Sequence, residues 1–249
     1  MRLVDQCQPP SAYGRLRVER HDLSPARWLE QRPPHDDGFG TVAGVCAPGF
    51  DAYARILHPA WLGTKPVRWD EVAASYGRSV SAGTRWHELI GLGSDRLLYR
   101  NEDTPAVPGV WDEHPDEGPT PASVARALIS VLSGHTRTPE RCWYGLWEGY
   151  GQYNWDGYPV FRTPGRHEIL LSGPLDDADS PAFPVPGGEP DEAAPELPDL
   201  WWPEDRAWCV AGDVDLVSTY VGGSAACVAD LLAAPGLEAY EITETSPVD

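Results

Sequence analysis

Residues 201–232, WWPEDRAWCVAGDVDLVSTYVGGSAACVADLL, decide how this chain is read. The runs AWCVAG and DLVSTYV are short, rich in β-branched and aromatic residues, and bounded by Gly and Asp, which predicts two strands. Gly222-Gly223-Ser224 then supplies a turn and a helix N-cap. The following AACVADLLAAPG sets Val228, Leu231 and Leu232 on one helical face and stops at Pro235-Gly236, after which LEAYEI returns as a strand. Strand, strand, helix, strand is locally consistent at each step, as a buried scaffold should be.

Working outward, RCWYGLWEG and HEILLSGP predict further strands. The first has the unbroken apolar run of a strand covered on both faces. TPASVARALISVLSGH predicts an amphipathic helix, with Thr120 as cap, Pro121 at the first helical position, Val124, Leu128, Val131 and Leu132 as its stripe, and Gly134 as its end. RWDEVAASYG and GTRWHELIGLG predict two shorter helices, and TVAGVCAPGFDAYARILHP predicts a hairpin around Pro48-Gly49. No 20–50 residue repeat and no regular βαβ alternation is present. The expected fold is therefore one α+β domain over 1–249, with a mixed, mainly antiparallel sheet and helices mostly on one face.

Charge is unevenly spread. Residues 1–166 carry 20 acidic and 18 basic side chains, whereas residues 167–249 carry 18 acidic and one basic, Arg206, so the net charge of -19 sits almost wholly in the last third. Two Pro-rich acidic stretches without a base, about 101–121 and 176–200, are expected to be mobile surface loops, because neither offers enough apolar surface to offset the entropy of ordering. An acidic field repels phosphate backbones, which argues against nucleic-acid binding and favours a basic protein partner. Neither a membrane-spanning run nor a secretory h-region is visible, so a cytoplasmic protein without membrane association is expected. Five cysteines in no CxxC spacing suggest neither a disulfide framework nor a zinc knuckle, and no cofactor is implied.

Several residues stand out chemically. Asp213 and Asp215 form a DxD pair whose carboxylates, two apart on a strand, point the same way and are candidate metal ligands, although an exposed turn explains them as well. His58, ending a strand just before Pro59, could pair with His87 and Glu88 for acid/base work. Trp201 and Trp202, with adjoining Glu204 and Asp205, form a candidate binding patch, since indole rings favour half-buried interfaces. Gly222-Gly223-Ser224 lacks the other elements of a phosphate loop, and no Ser lies in GxSxG.

The segments YARILHPA, RWDEVAA, RCWYGLWEG, LLSGPL and LWWPEDRAWCVAGDVDLVSTYVGGS resemble a group of actinobacterial proteins of unknown function. The resemblance covers most of the chain outside the two acidic stretches. It implies a shared fold and a bacterial cytosolic setting, and brings no catalytic residue with it. The expected function is a non-enzymatic intracellular binding protein with an acidic, Trp-rich surface that masks a basic partner, as immunity proteins do. The alternatives are a metal-assisted enzyme and a carbohydrate or small-ligand binder using Trp201 and Trp202.

Overall fold

A computed structural model describes residues 11–30, 40–93, 106–150, 154–180 and 196–248. The chain begins with β1 (Ala12–Tyr13) and β2 (Leu16–Val18), followed by the short helices α1 (Arg27–Glu30) and α2 (Val42–Val45). Strand β3 (Ala52–Leu57) leads to a separate hairpin of β4 (Ala60–Leu62) and β5 (Lys65–Val67), then to α3 (Trp69–Ser75) and α4 (Trp86–Leu89). Helix α5 (Ala122–Leu132) precedes β6 (Cys142–Trp147), β7 (Val160–Thr163) and β8 (Arg166–Gly173). The final third holds β9 (Leu200–Pro203), β10 (Cys209–Ala211), β11 (Ser218–Gly223), α6 (Ala225–Ala233) and β12 (Ala239–Ile242).

Ten strands form one sheet in the order β1-β2-β8-β6-β9-β10-β11-β3-β12, with β7 also paired to β8, and every pairing is antiparallel. Alternation along the strands divides the core in two. Ile169, Leu171, Trp201, Val210 and Val221 join the cluster that receives Val124, Leu128 and Leu132 of α5 and Val228 and Leu231 of α6. Leu170, Leu200, Trp202, Cys209 and Tyr220 pack on the other side against Leu29 of α1 and Val42 and Val45 of α2. A third cluster, around Trp69, Trp86 and Trp111, fills the space between α3, α4 and the end of β3.

The opening segment forms the two expected strands and the expected helix, but Leu232, expected on the inward face of α6, is exposed, and Trp201 and Trp202 belong to a buried strand. Ser224 caps α6, its Oγ accepting from Cys227 N at 3.2 Å, but Gly222 and Gly223 lie within β11. They lack a Cβ because the space is taken: one on Gly222 would stand 2.4 Å from Phe50, and one on Gly223 3.2 Å from Cys227 Sγ. The predicted hairpin around Pro48-Gly49 is replaced by α2 and an irregular approach to β3. Distant partners claim the backbone there: Val42 N donates to Ser246 O and Ala43 N to Glu244 O. Gly49, at a φ of +88°, makes the turn and donates its N–H to Glu244.

Thr120 does not cap α5. Pro121 occupies the N-cap position with no side-chain bond, and the Thr120 hydroxyl lies 3.0 Å from Thr219 Oγ1 instead. At α3 the cap comes from far along the chain, Glu238 accepting from Trp69 N at 2.6 Å and Asp70 N at 3.0 Å. The described part of the first acidic stretch is packed rather than draped in solvent: Trp111 is fully buried, Trp61 exchanges backbone bonds with Glu113, and Gly118 N donates to Leu216 O. Of the second stretch, residues 181–195 lie outside the described residues, while Ala178 and Asp199 on its flanks are buried. Among the described residues no helix is long and apolar enough to cross a membrane. Cys46, Cys142, Cys209 and Cys227 are buried.

Candidate functional site

His58 is fully buried. Its Nδ1 lies 2.9 Å from Asp116 O and its Nε2 2.9 Å from Thr219 Oγ1, so both ring nitrogens are engaged. A carbonyl oxygen can only accept, so Nδ1 carries a proton. The residue locks the 113–120 segment to β11, which accounts for its place at the strand end. His87 is half-buried and Glu88 exposed on α4, whose inward side chains are Trp86 and Leu89. Among the described residues no three His, Cys, Asp or Glu side chains stand where they could hold a metal ion.

Asp213 and Asp215 lie in the turn between β10 and β11 rather than along a strand, and both reach one arginine. Arg166, at the start of β8, donates Nε and Nη2 to Asp213 at 2.9 Å each, and Nη2 also to Asp215 at 3.1 Å. Asp213 is buried and its partner a quarter exposed or less, whereas Asp215 keeps 75% of its side-chain surface in solvent. The guanidinium also stacks on Trp147, 4.6 Å from its ring centroid. Bonding to Asp213 raises the Arg166 pKa, with burial opposing. The DxD thus serves as a clamp for a fixed cation.

Trp201 and Trp202 are wholly enclosed, one on each side of the sheet. Trp201 donates Nε1 to Pro198 O at 2.8 Å, and Trp202 sits edge-on between Trp28 and Phe161. Neither ring is open to a stacked sugar or a partner, because alternation along β9 sends both into core. Glu204 is exposed and pairs with Arg141 at 2.8 Å. Asp205 ties a loop, accepting from Thr136 Oγ1 and Arg137 N at 2.8 Å each. Burial pushes its carboxyl up, but the bonds from Arg137 N, Thr136 and Ala207 N outweigh that and hold it below its ordinary value.

The end of the sheet where β6, β8, β9 and β10 meet holds further acids. Asp199, immediately before β9, is buried and accepts from Trp147 N at 2.8 Å and Tyr150 Oη at 2.7 Å. Burial lifts its carboxyl to about 7, with those two bonds opposing and Asp213 and Glu196 adding to the rise. Glu168 in β8 is buried, and its Oε2 has no hydrogen-bond partner among the described residues. Burial raises it well above the usual range, and the charges of Asp199 and Asp213 push the same way. An unpartnered buried carboxylate is costly, so this position favours the protonated form of Glu168. Sequence reasoning missed Glu168: HEILLSGP predicts only a strand, and the burial of this Glu follows from the place of β8 between β2, β6 and β7 in the sheet.

A cleft of about 450 Å³ opens nearby, between the start of α5, the 116–120 segment and Glu196–Leu197. Asp116, Glu117 and Glu196 supply its negative charge, and Trp61 supplies a half-exposed ring whose Nε1 donates to Asp116 Oδ2 at 3.2 Å. Arg126 also lines it, engaged by Asp179 at 3.3 Å. Asp116 keeps solvent contact, yet partial burial raises its carboxyl, with Trp61 opposing and Glu113 adding; burial and Asp116 together raise Glu196. Such a site can hold an ammonium or guanidinium group by charge and by the indole face. Comparison with family models, with curated proteins and with solved structures returned no match.

Proposed function

We propose that the chain is a non-catalytic binding protein of the cytoplasm that holds a basic protein partner, its acidic cleft taking a Lys or Arg side chain. The observation that carries this reading is the cleft itself: Asp116, hydrogen-bonded to Trp61 Nε1, and Glu196 line one space of about 450 Å³ together with the Trp61 ring. That volume lies within the roughly 300–1,000 Å³ common for ligand sites. The long-range field supports it, since the 83 residues from 167 onward carry 18 acids against one base. A field of that sign speeds the approach of a basic surface and repels nucleic-acid phosphates and anionic membranes. Masking of a basic toxin is one role that such a surface fits.

The reading relocates the expected aromatic patch from Trp201 and Trp202 to Trp61, because the former are enclosed and the latter stands at the cleft. Two or three rim charges bring modest affinity, each about 0.5–1 kcal/mol, so a single side chain binds weakly and a partner needs further contacts. The test is a fluorescence anisotropy titration with a labelled hexapeptide of alternating Lys and Arg, against an Asp/Glu hexapeptide as control. Binding of the basic peptide that weakens with added salt supports the proposal; equal binding of both peptides, or of neither, removes it.

A further inference from the structure

The two walls of the cleft are anchored on the acids at the end of the sheet. Glu196 and Leu197 run directly into Asp199, whose carboxylate holds the end of β6 through Trp147 N and the following turn through Tyr150 Oη. The opposite wall, Asp116 to Thr120, is pinned at Gly118, which bridges to Asp213 and donates its N–H to Leu216 O. Glu168, paired with Trp147 in the ladder, stands near the Asp199 carboxylate that Trp147 N meets, and its enclosed Oε2 is reached by no donor among the described residues.

What could satisfy that oxygen is constrained by packing. A Cβ placed on Gly145, 3.4 Å from Glu168 Oε2, would already stand 2.9 Å from Phe161 and 3.2 Å from Leu200, so there is no room on that side for a hydrated cation or an amine. A proton needs no room. Charge gives the same answer: Glu168 faces Asp199 and Asp213, with Glu148 further out, and Arg166 is the cation among them, already clamped by Asp213 and Asp215. Asp199 faces Tyr150, Asp213 and Glu196 besides Glu168. His167, on the outer side of β8, is turned to Glu148 at 2.9 Å.

We infer that Glu168 and Asp199 form a proton-held latch on the acidic cleft, closed while at least one of them is protonated and loosened when both carry charge. This rests on the cleft being the binding site for a basic partner. With a proton present the Asp199 clamp on Trp147 and Tyr150 holds the Glu196 wall in place. With two adjacent buried charges, repulsion is relieved by moving residues 196–199 away from β8 and letting water in, which spreads the carboxylates that face the partner. Acidification therefore closes the site and alkalinisation opens it. The opposing trend, ionisation of Asp116 and Glu196 themselves, strengthens binding as pH first rises.

The full chain and Glu168→Gln, which mimics the protonated acid at constant shape, are titrated with the Lys/Arg hexapeptide from about pH 5 to pH 9, with circular dichroism at each pH and hydrogen exchange over residues 142–150 and 196–203. Wild type is expected to gain affinity as the cleft carboxylates ionise and then to lose it roughly fivefold or more towards about pH 9, while E168Q keeps its affinity; protection of both segments, after correction for the intrinsic rise of amide exchange with pH, should fall over the same range in wild type and stay level in E168Q. The same fall and the same exchange in both proteins overturn the latch. If the peptide binds neither protein at any pH, the cleft reading fails, and exchange alone decides whether the latch exists. Should E168Q fail to fold, Asp199→Asn, which can keep both contacts by reversing the bond to the Tyr150 hydroxyl, gives the same comparison.

Discussion

Replacing Asp199 by asparagine should flatten the dependence of stability on pH. In the folded chain burial lifts this carboxyl from 3.8 to about 7. Between those values the native state binds a proton that the unfolded chain has lost, so stability is full below the unfolded value and falls as pH rises through the window. The shift corresponds to roughly 4 kcal/mol at most, at 1.36 kcal/mol per pH unit. Because the charge is shared with Glu168, the part that Asp199 contributes is about 2–4 kcal/mol. Asparagine can accept from Trp147 N with Oδ1 and donate Nδ2 to the Tyr150 oxygen, so the clamp survives while the ionisation is removed. Urea unfolding of wild type and Asp199→Asn at about pH 5 and pH 8 reads the difference directly. The expected result is a variant near wild type, or weaker, at the lower pH that gains about 1–3 kcal/mol relative to wild type at the higher, part of the full effect being already lost at about pH 5. An unchanged difference between the proteins at the two pH values would refute the buried-charge argument.

Other substitutions separate the structural acids from the surface ones. Arg166→Met leaves Asp213 buried without its cation and should cost about 2–4 kcal/mol in chemical denaturation, whereas Asp215→Asn, at the exposed end of the same clamp, should cost less than about 1 kcal/mol. Equal losses would mean that the clamp geometry is wrong. Trp202→Ala empties the space between Trp28 and Phe161 and should destabilise by about 3–5 kcal/mol; an unaffected midpoint would place that ring on the surface after all. Gly222→Ala should cost about 1–3 kcal/mol, because a Cβ there meets Phe50 at 2.4 Å, and a neutral outcome in thermal unfolding would show that Phe50 yields freely.

Much of the fold could be read along the chain because its cues are local. The periodic stripe of α5, the Ser224 cap of α6, the unbroken apolar run of β6 and the β-branched and aromatic residues of β11 each follow from residues within a few positions. What escaped local reading was set by distant partners. The 41–50 segment has its backbone bonds taken by Ser246 and Glu244, α3 is capped by Glu238, and Thr120 turns to Thr219 rather than to its own helix. The candidate residues failed for a related reason. Two Asp at alternate positions can hold any cation, and only the pairing of strands shows that the cation is Arg166 from β8. Trp201 and Trp202 follow an acidic stretch, yet β9 lies mid-sheet between β6 and β10, where both faces are covered. Asp116, Glu196 and Trp61 come from three separate parts of the chain, so their convergence had no signature in spacing.

The most direct measurement is the affinity of the Lys/Arg hexapeptide for wild type and for the double variant Asp116→Asn/Glu196→Gln, at neutral pH and at about 50 and 300 mM salt. Two rim carboxylates at about 0.7 kcal/mol each make the double variant roughly tenfold weaker at low salt, with the gap narrowing as salt rises. Equal affinity of the two proteins at low salt, with both folded, would contradict the assignment of this cleft.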